Sequence, residues 1–167
     1  MLDTGIPAKE KGMNALHDGD IVVIESNWFR HFFTSYDHAA LLWSRDKEWY
    51  TIEAVPTGVR SYLLGHWGRP YIILRPRDST EQGWQAANIA LSWLGEPYSF
   101  WTLLELAWQI IVAKFFRKPI PVRVAVVKRV CSQLVHDAWL KAGIDITPGV
   151  DKPTPEQIAL SDVLEIR

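Results

Sequence analysis

The sequence predicts an α+β domain, and three observations carry that expectation. Strand-length apolar runs fill much of the first half, helical periodicities dominate the rest as far as a short closing strand, and no linker long enough to divide the chain separates them. With 167 residues the chain is long enough to bury a core without covalent staples, and its 48% hydrophobic and 22% charged residues fit a globular domain. Residues 1–16 carry Gly, Pro and Lys without periodicity and read as a mobile arm, which leaves 17–167 as a single domain.

The elements follow in order. Residues 20–25 (DIVVIE), after Gly19, form a first core strand. Residues 26–36 hold five aromatics in eleven positions, including Trp28 and Tyr36, and fit either a short packed helix or a lid beside a site. Residues 37–43 and 49–54 flank the polar turn Ser44-Arg45-Asp46-Lys47, a hairpin signature. If all four turn residues form the loop, Trp43 pairs with Glu48 and His38 falls directly opposite Glu53. Direct partners share a face of the sheet with Cβ atoms about 4.5–5.5 Å apart, so a carboxylate there can receive an imidazole N–H and fix its tautomer.

Residues 55–59 read as a turn and 71–74 as a strand ending at Arg75-Pro76. Ser79-Thr80-Glu81-Gln82 has capping-box form and opens a helix that runs to about Leu94 with Gly95 as its stop. Glu96-Pro97-Tyr98 is a turn. The segment 99–118 is the most apolar of the chain, a helix in which Trp101, Leu104, Trp108, Ile111 and Phe115 form one seam and Thr102, Glu105 and Gln109 a narrow polar stripe. It falls short of the roughly 20 apolar residues of a membrane span. The seam is a candidate core or homo-oligomer face, or a contact for an acyl chain or the membrane periphery. Arg117, Lys118, Arg123, Lys128 and Arg129 follow, either as a solvated basic loop or as charge favouring a nearby thiolate. The strand-like run 120–127 then gives way to a helix from Cys131 through Trp139 to Ala142, with Gly143 as a natural cap. Residues 147–155 form a loop, Thr154-Pro155-Glu156-Gln157 a second capping box, and 162–166 a closing strand.

Composition removes several function classes. A net charge of −1 argues against nucleic-acid binding through bulk electrostatics. One cysteine excludes an intrachain disulfide framework and a Cys-based zinc cage. The five histidines show neither HExxH nor HxH spacing, so no metal site and no cofactor are expected. The first 20 residues lack an apolar h-region, and a cytoplasmic protein is the expectation.

Chemistry concentrates at Cys131. A thiol in the first turn of a helix sits at the positive end of the helix dipole, which lowers its pKa below the free value of about 8.5. Such a cysteine serves either as a nucleophile or as a small buried hydrophobe. A nucleophile needs a base, and the base needs an orienting group. His136 lies five residues on, a rotation of about 140°, and is expected at the surface facing away from the thiol. His38 is therefore the candidate base.

Together GDIVVIE, DHAALLW, TIEAVPTGV, LGEPYSF and VCSQLVHDAW, spanning residues 19–142, resemble the circularly permuted branch of the NlpC-type papain-like cysteine hydrolases, specifically its YiiX/YebB-like group, with the histidine strand ahead of the cysteine helix. The resemblance implies a permuted papain-like fold, a small antiparallel sheet packed against helices that include the cysteine helix. It implies Cys131 as nucleophile, His38 as general base and acid, and Glu53 as the residue that orients His38. Tyr98 matches the tyrosine that borders the substrate in this superfamily; Ser132, Trp28 and Tyr36 join it as candidate substrate contacts. The expected function is that of an amidase- or peptidase-like hydrolase acting on a small-molecule or peptide substrate through an acyl-thioester. A lipid-directed acyltransferase or thioesterase, as in the LRAT-like relatives, and a catalytically silent binding module using the Trp101 to Phe115 seam are the competing expectations.

Overall fold

The structure, a computed structural model, describes residues 16–26, 35–77, 79–96 and 130–167. Six strands make one antiparallel sheet: β1 (Ile21–Glu25), β2 (Tyr36–Arg45), β3 (Glu48–Val55), β4 (Gly58–Leu63), β5 (Tyr71–Pro76) and β6 (Leu164–Ile166), in the spatial order β4-β3-β2-β1-β5-β6. Three helices are described: α1 (Thr80–Ser92), α2 (Cys131–Lys141) and α3 (Pro155–Ala159). The α+β expectation holds in this form. The aromatic stretch through Trp28, the turn at Tyr98, the seam 99–118, the run 120–127 and the arm 1–15 lie outside the described residues.

Both faces of the sheet are covered, which explains why β1 and the middle of β2 are apolar at consecutive positions rather than at alternate ones. On the first face Ile21, Val23, Ala39, Leu41, Ile52 and Ala54 meet the helices through Ala86 and Ala90 of α1, Leu134, Val135, Ala138 and Trp139 of α2, and Ile158 of α3. On the second face Val22, Ile24, Ala40 and Leu42 are buried with Leu16 and packed by Trp49, Leu64, Trp67 and Ile73. Trp139 is fully buried, and its indole N–H donates to the Gly19 carbonyl at 3.1 Å, tying α2 to the entrance of β1. Backbone approach there is close: a Cβ on Gly19 would lie 2.1 Å from the Gly83 carbonyl oxygen, and Gly19 has φ +88°. Behind β1, Asp20 and Arg75 form a buried two-pronged ion pair with N–O distances of 2.5 and 2.7 Å.

Four local expectations change. The hairpin turn has two residues, not four: Ser44 and Arg45 stay in β2, and Arg45 pairs with Glu48 around Asp46 and Lys47, whose φ values are +53° and +70°. Two positive φ values give the loop a twist that matches the strands, so the shorter turn prevails without glycine. Residues 58–63, with Gly58 and Val59 read as turn and the rest not assigned, form the edge strand β4, whose single fully covered stretch is Gly58-Val59. Ser79 is the N-cap of α1 but caps with no side-chain bond, because its hydroxyl donates to the Pro76 carbonyl at 2.5 Å instead. The capping box at Thr154 does form, with Gln157 returning the bond. Finally, His136 is buried, only 3% exposed, rather than on the surface. The chain after α2 folds back along the helix, burying Ile146 and Thr147 and bringing Asp145 Oδ1 within 3.9 Å of His136 Nε2.

Candidate active site

Local geometry near the start of β2 prepares the site. The β1–β2 register shifts between Ile24 and Glu25, which pair with His38 and Tyr36, so Asp37 is an extra residue that bends the strand just before His38. The β2–β3 ladder runs from Arg45–Glu48 only as far as Leu41–Ile52. Beyond that point β2 continues beside β1 and β3 beside β4, so the sheet is split where His38 and Glu53 lie. Extending the ladder would put Val55 across from His38, which makes Glu53 its diagonal neighbour rather than its direct partner. The slip is two positions, so the two residues keep a common face, and diagonal neighbours with long side chains still touch. His38 Nε2 lies 2.6 Å from Glu53 Oε2.

Cys131 is the first residue of α2, preceded by Val130 as an extended N-cap with no side-chain capping bond. Its own N–H, in the first turn, is among the donors a helix leaves unused. The largely buried thiol shares a hydrogen bond with the His38 side chain and is approached by the backbone N–H groups of Ala39 and Ser132. With Nε2 engaged by Glu53, Nδ1 is the ring nitrogen left for the sulfur. Strand alternation sends Ile52 and Ala54 to the helix-bearing face and hence Thr51 and Glu53 to the other. The thiol thus arrives from one face and the carboxylate from the other, and His38 joins them at the split.

Electrostatics follow from this placement. Burial works against a charged His38, but the bonds and charges of Cys131 and Glu53 outweigh it and push its pKa up to about 10. Burial also opposes ionisation of Cys131; His38 and the two backbone N–H groups prevail and hold the thiol below its ordinary range. Glu53, 1% exposed, is likewise pushed up by burial, and His38, Thr51 and Trp67 hold it below the usual carboxylate value. Each group thus favours the charged form of its neighbour, the thiol and the carboxyl both biased toward ionisation by the imidazole between them.

Two participants escaped the sequence reading. Trp67 Nε1 donates to Glu53 Oε2 at 3.1 Å, and His66 Nε2 lies 3.6 Å from Glu53 Oε1. Both belong to the connection 64–70, which crosses the second face and is tied to the bulge by Arg69, whose Nη1 donates to both oxygens of Asp37 at 3.0 Å. The available signal was the pair of turn glycines Gly65 and Gly68 around a His-Trp pair, both at positive φ, since such turns place side chains by backbone geometry rather than by hydrophobic periodicity. Of the other candidates, Ser132 is buried with its N–H toward the sulfur, Tyr36 packs half-buried against the first-face core, and Trp28 and Tyr98 lie outside the described residues.

An α+β fold with one six-stranded antiparallel sheet and a helix-start cysteine facing a strand histidine defines the class of this molecule. Among solved structures the chain is similar to the crystal structure of the metalloprotein YiiX from Escherichia coli O157:H7, with a TM-score of 0.62 and 19% identity over 90% of this chain and 96% of that one. The two share a fold. No family model matches the chain, and no curated protein does. Among the described residues no group of three or more His, Cys, Asp or Glu side chains is placed to hold a metal ion. No described helix is long and apolar enough to cross a membrane.

Proposed function

We propose that this protein is a cysteine hydrolase of amidase or peptidase type, built on a permuted papain-like domain in which the histidine and glutamate strands precede the nucleophile helix. One observation carries the reading: the relay from Cys131 through His38 to Glu53, with both flanking groups shifting the imidazole toward its cation. The Cys131 thiolate attacks the acyl carbon, forming the C–S bond while the carbonyl π pair moves onto oxygen. The Cys131 N–H, which has no acceptor within its own helix, supports that oxyanion. His38 then gives its Nδ1 proton to the departing amine as the carbonyl re-forms, leaving an acyl-thioester and a neutral imidazole. Water attacks the thioester, His38 takes its proton, and breakage of the C–S bond releases the acid and restores the pair. Glu53 holds the imidazole throughout and stays ionised.

Iodoacetamide alkylation of Cys131 across pH tests the first step. The wild-type thiol should react well below its ordinary range, and His38→Ala should return it to an ordinary profile. Intact mass after mixing with an activated amide or ester should show one acyl group on Cys131. A normal thiol profile indifferent to His38→Ala overturns the reading.

A further inference from the structure

Resting on the relay above, we propose that Arg69 is a positioning residue for His38: through Asp37 it holds the bulge of β2 against the connection that carries Trp67, and so fixes the reach from the imidazole to Glu53. The bulge falls on one residue. Ile24 pairs with His38 and Glu25 with Tyr36, which leaves Asp37 outside the ladder. The extra residue also resets the face of the strand. Tyr36 and Ala39, three positions apart, would point to opposite faces of a regular strand, yet both pack into the first-face core. An inserted residue interrupts the ladder hydrogen bonds and bends the strand, so its geometry has to be held from outside the ladder.

Two consecutive residues supply that hold, one for each strand. Arg69 takes β2, its Nη1 donating to both oxygens of Asp37 at 3.0 Å, and the Pro70 carbonyl takes β1, accepting from the Glu25 N–H at 3.0 Å. They grip the two strands at the step where the register changes. The Asp37 side chain is 9% exposed and that of Arg69 23%, so the pair is better shielded than a solvated surface contact. Two residues before Arg69, Trp67 donates to Glu53 Oε2 at 3.1 Å and meets the His38 ring edge-on at 6.4 Å between centroids. Residues 67–70 thus touch the carboxylate, the imidazole and the bulge beside it within one short segment. Because the β2–β3 ladder ends at Leu41 and Ile52, pairing of their own strands does not set the distance from His38 to Glu53. The tie from Asp37 through Arg69 to Trp67 sets it across the gap.

The test is the pH profile of Cys131 alkylation, a readout that loss of stability alone does not move. Arg69→Met keeps an unbranched side chain and removes its donors; it should move the thiolate limb up about one pH unit, lowering the rate near neutral pH about tenfold. Asp37→Ala should move the limb the same way, and the double variant should go little further than either, since each residue acts through the other. Arg69→Lys should recover most of the loss, because a single nitrogen meets both oxygens and an ammonium can take its place. Direct electrostatics would leave a different pattern: removing a cation and removing an anion beside His38 shift the limb in opposite directions, and the double variant cancels them. That pattern overturns the proposal, as does an Arg69→Met protein whose melting temperature falls while its profile superimposes on wild type. Should Arg69→Met fail to fold, an unmoved profile in Asp37→Ala overturns it equally. If His38→Ala also leaves the profile unmoved, the relay itself is wrong; if His38→Ala moves it and the Arg69 and Asp37 variants do not, only the tie is.

Discussion

The two faces of the sheet do different work with different chemistry. The first is apolar and helix-covered, with Trp139 at its centre, and it delivers Cys131 at the start of a buried helix. The second carries a buried carboxylate whose partners are a hydroxyl, an indole and an imidazole, supplied in part by a seven-residue connection, 64–70. Packing places the Cys131 thiol, and hydrogen bonding biases its charge state. His38 belongs to neither alone, since it stands where β2 and β3 part and both faces are reachable. Disturbing the first face should thus cost stability and spare the chemistry, whereas disturbing the second should do the reverse.

The largest effect falls where the two meet. Cys131→Ser and His38→Ala should each abolish acyl-enzyme formation, by on the order of 10⁴-fold or more, with little change in melting temperature beyond that of the lost pair. Glu53→Gln should come next, about 10²- to 10⁴-fold, since an amide neither neutralises the imidazolium nor dictates which ring nitrogen holds the proton. Burst kinetics on an activated ester measures all three, and a Glu53→Gln enzyme with a wild-type burst would mean that the second face is only scaffolding.

On the first face, Trp139→Ala should lose about 3–5 kcal/mol of stability by emptying a fully buried site and leaving the Gly19 carbonyl without its donor. Denaturant unfolding measures the loss. The protein that remains folded should show an unshifted Cys131 alkylation profile, and a shifted one would mean that the faces are coupled through α2.

The pH dependence separates the partners. The depressed pKa values of Cys131 and Glu53 contribute stability that is present above their unfolded values and lost as pH falls through the folded ones. His38 runs the other way: its contribution is complete below the unfolded value of about 6.5 and is lost as pH rises through about 10. Turnover needing both thiolate and imidazolium should therefore rise through the lowered thiol pKa and fall near pH 10, while alkylation, which needs no acid, should rise without the falling limb. His38→Ala should remove the alkaline loss of stability, as urea titrations at several pH values would show.

How much of this was legible in the sequence divides along the same line. Hydrophobic period and helix-start chemistry located β1, β2, β3, β5, α1 and α2 and drew attention to Cys131, because burial on the first face writes itself as apolar spacing. Juxtaposing His38 with Glu53 needed only parity, and parity survives a slip of two. His66 and Trp67 were not legible: they sit between two glycines in a stretch with no period, and what aims them is the local path of the chain and the Arg69 pair to Asp37. His136 was misplaced for a similar reason. Rotation about the helix correctly turns it from the thiol, but the covering of that flank depends on how residues 142–150 fold back, which no spacing within α2 records.

The smallest predicted effect concerns the turn that sets the register. Asp46 and Lys47 both occupy the left-handed region, which costs an L-residue about 1–2 kcal/mol relative to a relaxed backbone, and asparagine followed by glycine is the pair that suits such a loop best. Asp46→Asn with Lys47→Gly should therefore stabilise the protein by roughly 0.5–1 kcal/mol in denaturant unfolding, the relief at Lys47 being partly offset by the greater freedom of glycine in the unfolded chain. Cys131 alkylation should not change, since the register the new turn favours is the one already present. A destabilised variant, or a changed profile, would indicate that the strands choose Arg45–Glu48 pairing against the turn rather than with it. In that case the diagonal meeting of His38 and Glu53 would be imposed by the packing of the two faces and not by the loop.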